Sequence, residues 1–166
     1  MRTASKFFLL VTLIAFSTNL AYSHCQIPCG IYGDNMRIDM LKEHILTIEK
    51  SMNEIKELSK NPSENMNQLV RWINNKDQHA DEFTHIVTYY FLNQRIKIVD
   101  PGRAGDFKIY QEKLTLLHKM MVFAMKCKQT TDLENTKRLS TLVDKFVAIY
   151  FTEEQKAHMK EHTEKK

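Results

Sequence analysis

Glycine and proline are scarce, with 4 and 3 residues in a chain of 166. Glycine-rich phosphate loops and the many tight turns of an all-β fold call for more of both. Three cysteines are too few for a disulfide scaffold. No large charge excess exists: 24 Lys and Arg face 20 Asp and Glu, and a net +4 is not the footprint of a nucleic-acid binder. Long apolar runs are also missing. The only one, Phe7 to Phe16, is too short to span a bilayer comfortably. Neither a P-loop, a dinucleotide fingerprint nor a serine nucleophile elbow is present. What remains is 43% apolar and 27% charged, the composition of one globular domain with a substantial core.

The apolar run belongs to a leader. Arg2 and Lys6 give a positive start, FFLLVTLIAF follows, and Ala21-Tyr22-Ser23 sets small residues where a signal peptidase reads. Residues 1–23 are therefore expected to be a signal peptide, cut by a signal peptidase or maturation protease. The alternative is an uncleaved N-terminal anchor. With no twin arginine, general secretion to a periplasm or the extracellular medium is expected. Cleavage removes two cations and no acid, so the net charge falls from +4 to +2. It also leaves no membrane segment and makes His24 the first residue, with a free α-amine.

The body reads as four helices. From about Asp34 to Leu58, the residues Leu41, Ile45, Ile48, Met52 and Ile55 step by fours and threes. Asn61-Pro62-Ser63-Glu64 has the form of a capping box opening a second helix, with Met66, Leu69, Ile73, Ala80, Phe83, Val87 and Tyr90 on its stripe, to about Ile98. Asp100-Pro101-Gly102 breaks it. Phe107, Tyr110, Leu114, Leu117, Met121 and Ala124 mark a third helix. Thr131 to Glu134 forms a second box, before Leu139, Leu142, Phe146 and Ile149. Short connections make successive helices antiparallel neighbours. The expected fold is all-α: an up-and-down four-helix bundle over 34–151, an irregular segment at 24–33 outside it, and a polar tail at 152–166.

The irregular segment, His24-Cys25-Gln26-Ile27-Pro28-Cys29-Gly30-Ile31-Tyr32-Gly33, is rich in metal donors. The freed amine of His24 and the Cys25 amide nitrogen can close a five-membered chelate ring. Cys25 and Cys29 add two thiolates, and the His24 imidazole can approach along the axis. Two nitrogens and two sulfurs in a plane with an axial nitrogen suit Ni or Cu rather than tetrahedral Zn. Pro28 and Gly30 let the chain hook back. The competing reading is a Cys25–Cys29 disulfide in an exported protein.

His24-Cys25-Gln26-Ile27-Pro28-Cys29-Gly30-Ile31-Tyr32 closely resembles the N-terminal hook of the nickel superoxide dismutases, whose pattern is His-Cys-x-x-Pro-Cys-Gly-x-Tyr. Val70 to Asn74, with Lys76 and His79-Ala80, is similar to that family's second helix, and the helix order fits across residues 24–150. The resemblance implies one nickel ion per subunit. Its ligands would be the amine and axial imidazole of His24, the amide nitrogen and thiolate of Cys25, and the thiolate of Cys29. Pro28 would take the family's cis peptide. Tyr32 would stand at the open face of the metal, and Asp39 would be the acid supporting the axial imidazole, with Arg71 and His79 as further candidates nearby. The implied activity converts superoxide to dioxygen and hydrogen peroxide by Ni(II)/Ni(III) cycling, in a homohexamer.

Other constellations read as structure. Glu82-Phe83-Thr84-His85 has the Glu-x-x-His step of di-iron bundles but no second copy. His44, His118, His158 and His162 lack ligand spacing and read as solvated helix histidines. Cys127 reads as a small buried hydrophobe. The alternative to a dismutase is a non-catalytic exported bundle whose N-terminal cysteines form a disulfide or hold a structural or trafficking metal.

Overall fold

Apolar residues spaced by threes and fours need a common core, and here four helices supply it to one another. The computed structural model describes residues 33–156. Its helices are α1 (Asp34–Leu58), α2 (Pro62–His85), α3 (Ala104–Gln129) and α4 (Glu134–Tyr150), and α2 runs on as a π-helical segment, Ile86–Arg95. Each packs on the next, and α4 closes the ring against α1, which is the up-and-down arrangement. The leader, residues 24–32 of the hook and the tail from 157 lie outside the described residues. Among the described residues there is no strand, and no helix is long and apolar enough to cross a membrane.

The α1 stripe is buried as its spacing predicts, with Ile38 added one turn earlier. Facing it are Ala80, Phe83, Val87 and Phe91, then Leu117, Met120 and Ala124 from α3, and Leu139, Val143 and Phe146 from α4. The Phe91 and Phe146 rings meet edge to face at 5.1 Å. Such a pair adds about 0.5–1.5 kcal/mol to the gain from burial alone.

Several local expectations are corrected. On α3 the buried face is Leu116, Leu117, Met120, Ala124 and Cys127. Leu117 and Ala124 of the expected stripe are fully buried, while Phe107, Tyr110, Leu114 and Met121 are only half-buried and Leu116, Met120 and Cys127 complete the face, because the helix packs between two neighbours. On α2, Met66 and Ile73 are exposed, and the interior takes Lys76 instead. Neither capping box forms. Asn61 makes no side-chain cap. At α4, Asp132 rather than Thr131 accepts the Glu134 N–H, at 3.0 Å, while Glu134 itself turns to Arg138. The second helix ends at Arg95, not Ile98.

Lys76 is a buried cation with every proton used. Its Nζ donates to the carbonyls of Cys127 at 2.8 Å and Lys128 at 2.6 Å, and to Asp77 Oδ1 at 2.7 Å. The carbonyls of a last helical turn lack partners and carry the negative end of the dipole. Lys76 thus caps α3 from α2 and fixes how the two helices meet.

The π segment has a similar positional effect. Five residues of α-helix turn through about 500°, leaving side chains about 140° apart. In the i→i+5 pattern they come onto the same face, about 50° apart, and Ile96 N donates to Phe91 O at 3.0 Å. Tyr90 and Arg95 are therefore brought together: Arg95 Nη2 donates to the Tyr90 hydroxyl at 2.8 Å and the guanidinium lies 4.8 Å from the ring centre.

Candidate metal centre

The hook enters the bundle at Gly33, whose extended backbone leads directly into α1. His24, Cys25, Cys29 and Tyr32 lie outside the described residues. The structure describes the seat on which their segment is rooted. Tyr32 is two residues from Asp34, so covalent geometry holds their Cα atoms within about 7 Å.

Asp34 joins three elements at that end of the bundle. Its Oδ1 accepts the Tyr90 hydroxyl at 2.5 Å, and its Oδ2 accepts the Tyr150 hydroxyl at 2.7 Å from the end of α4. Arg95 Nε lies 2.9 Å from Oδ1, an ion pair out of line for a good hydrogen bond. Burial and the Asp34 carboxylate both push the Tyr90 and Tyr150 phenols up, so each stays a neutral donor. The first residues of α1 are thereby pinned to the π segment and to α4. An acid immediately after the hook, facing two tyrosines on apolar stripes, was the available sequence signal. The spacing rules for metal ligands pass over it.

Beside the seat opens a groove of about 440 Å³ lined by Arg95, Lys97, Arg103 and Lys113, with Asp106 the one acid on its wall. Charge that is nearly balanced over the whole chain is locally positive here, and such a surface favours the approach of anions.

Of the expected supporting residues, Asp39 lies exposed on the outer side of α1, with no hydrogen bond or ion pair to the described residues, and Arg71 is exposed on α2. His79 is half-buried on the same helix. It meets His44, which is buried rather than solvated, and Glu82, the acid of the Glu-x-x-His step. His85 of that step turns outward and stacks on Tyr89 at 4.3 Å. Cys127 is buried and free, and burial pushes its thiol up to about 12, so it is no nucleophile at neutral pH.

Four antiparallel helices that follow directly on a histidine- and cysteine-bearing segment are the frame expected of a helical metalloprotein. Within that class the assignment is specific. The profile of the nickel-containing superoxide dismutases matches residues 19–155, and the chain belongs to that family. It is accordingly an enzyme with nickel as its cofactor. No curated protein and no solved structure matches the chain.

Proposed function

We propose that the mature protein begins at His24 and dismutates superoxide on a nickel ion held by His24, Cys25 and Cys29. The observation that carries this reading is the uninterrupted His-Cys-x-x-Pro-Cys-Gly-x-Tyr pattern, set behind a leader in a chain of this family. The donor set fits the metal. Two thiolates and a deprotonated amide are strong anionic donors, and they favour the higher oxidation state that hydrated nickel does not reach. A nickel ion held there would supply a one-electron couple between its +2 and +3 states, through which one superoxide could be oxidised and the next reduced.

The chain's own residues supply the rest. The His24 amine and imidazole and the Cys25 and Cys29 sulfurs hold the ion. Tyr32 limits access, which protects the thiolates from oxidation by peroxide. Forming hydrogen peroxide consumes two protons, and Tyr32, water and nearby backbone N–H groups would relay them. Asp39 would orient the His24 imidazole. The Asp34 seat keeps the root of the hook in one position, and the basic groove draws the anionic substrate toward that end.

Export and assembly complete the proposal. Residues 1–23 are removed on secretion to a periplasm or the medium. Met66, Val70 and Ile73 recur at four and three residues along the outside of α2, each more than 40% exposed. That stripe supports association of bundles into a homohexamer.

The N-terminal residue provides the test. A homogeneous chain starting at His24, verified by intact mass, should take up one nickel ion and remove superoxide. A chain retaining Ser23 replaces the amine donor with a peptide nitrogen, so it should bind nickel weakly and show little activity while its helices still form. Full activity in the Ser23-starting chain would overturn the ligand set.

A further inference from the structure

A second group of convergent donors lies between α1 and α2, away from the hook's sequence. His44 Nδ1 and His79 Nδ1 stand 2.8 Å apart, and Glu82 Oε2 lies 3.6 Å from the first and 3.9 Å from the second. The other carboxylate oxygen, Oε1, accepts the Gln78 amide at 2.8 Å. Gln78 therefore fixes the carboxylate and leaves Oε2 facing the two rings.

We infer that His44, His79 and Glu82 form a binding site for a divalent cation of the zinc class, with a ligand set distinct from His24, Cys25 and Cys29. Three observations carry it. First, spacing: zinc bonds of about 2.0–2.1 Å set at the tetrahedral angle require donor atoms about 3.4 Å apart, and 2.8, 3.6 and 3.9 Å straddle that edge. An octahedral site with bonds of the same length would need about 3.0 Å. Second, chemistry: two imidazole nitrogens, one carboxylate oxygen and an open fourth position make a borderline set that suits zinc and discriminates against calcium and magnesium. Third, access and support: the His44 side chain is 11% exposed, His79 26% and Glu82 45%, so the site opens on the Glu82 side with its deepest ligand held rigid.

Without a cation, the two Nδ1 atoms can bond only if one carries the proton, and the carboxylate is too far from either for a good hydrogen bond. Binding moves that proton to the far nitrogen of the same ring, so two neutral imidazoles release none. Burial holds the His44 imidazole toward its neutral, ligating form, and neighbouring His79 adds to this, while Glu82 and Glu43 oppose it. The site ties α1 to α2 across the pair, so occupancy also stabilises the bundle.

The full mature chain carrying Cys25→Ser and Cys29→Ser removes both hook thiolates, and Co(II) serves as the probe. One equivalent should bind with tetrahedral d–d absorption and no thiolate charge-transfer band, zinc should displace it, and thermal unfolding should shift upward. His79→Gln and Glu82→Gln, at partly exposed positions that the fold tolerates, should each weaken binding by at least about tenfold. No stoichiometric binding in the thiolate-free chain, or binding that His79→Gln leaves unchanged, would overturn the inference. The hook assignment is read separately, from nickel content and superoxide removal in the chain with both cysteines.

Discussion

Replacing Asp34 with alanine tests whether the hook is seated by the cluster beneath it. The carboxylate accepts two tyrosine hydroxyls, at 2.5 and 2.7 Å, and pairs with Arg95 at 2.9 Å. A hydrogen bond to a charged acceptor contributes about 1.5–3 kcal/mol, so the two hydroxyls set a gross scale of about 3–6 kcal/mol. The ion pair adds little, about 0–1 kcal/mol, because both side chains are roughly a quarter exposed. Water entering the gap recovers part of the loss. Asp34→Ala should therefore cost about 3 kcal/mol in urea unfolding. Asp34→Asn keeps an acceptor for Tyr90 and offers a donor to the Tyr150 oxygen, so it should cost about half as much. Tyr150→Phe alone should cost about 1 kcal/mol, and a double-mutant cycle with Asp34→Ala should show coupling of similar size. In the nickel-loaded protein, Asp34→Ala should lower dismutase activity with nickel still bound, since it loosens the root of the hook without removing a donor. A stability change within about 0.5 kcal/mol would refute the reasoning. Lost nickel in an otherwise folded Asp34→Asn chain would mean that the seat shapes the ligand set itself.

Lys76→Met should destabilise the bundle by about 3–5 kcal/mol in urea or thermal unfolding, because it strips donors from the buried end of α3; a loss under about 1 kcal/mol would show that water serves those carbonyls equally well. Tyr90 and Tyr150 should ionise last among the tyrosines of the mature chain when followed by ultraviolet absorbance, and Asp34→Asn should bring both down. Since their folded values are raised, the stability they lend is constant below the ordinary phenol value near 10 and falls as pH rises through the folded values; phenols titrating together near 10 would contradict the cluster. Asp39→Asn should lower activity about 10–100-fold with nickel retained, and wild-type rates would remove Asp39 from the mechanism. Reversing Lys97 and Arg103 to Glu should lower kcat/KM and flatten its dependence on ionic strength, with kcat unchanged; an unaltered salt profile would exclude the groove from substrate approach.

The donor pattern and the helices were legible in the sequence because both are local. A chelate built from an α-amine, the next amide and thiolates a few residues away depends on neighbours along the chain. A helix stripe such as Leu41–Ile45–Ile48–Met52–Ile55 depends on a period that any single helix displays. The four-helix order followed from short connections. What the tertiary structure decided are the places where two elements compete or converge. The buried face of α3 kept Leu117 and Ala124 but took in Leu116 and Met120 as well, because α2 and α4 both pack against it. Lys76 replaced an apolar residue because the end of α3 needed donors, which no pattern within α2 discloses. Tyr90 and Arg95 met because ten residues adopted the π register, a choice that swings side chains five residues apart by about a quarter of a turn without changing composition. His44 and His79, 35 residues apart, came within hydrogen-bond distance only when α1 and α2 lay side by side. Sequence spacing reports ligands that share one segment, whereas a group split between two helices exists only once their packing fixes which faces meet.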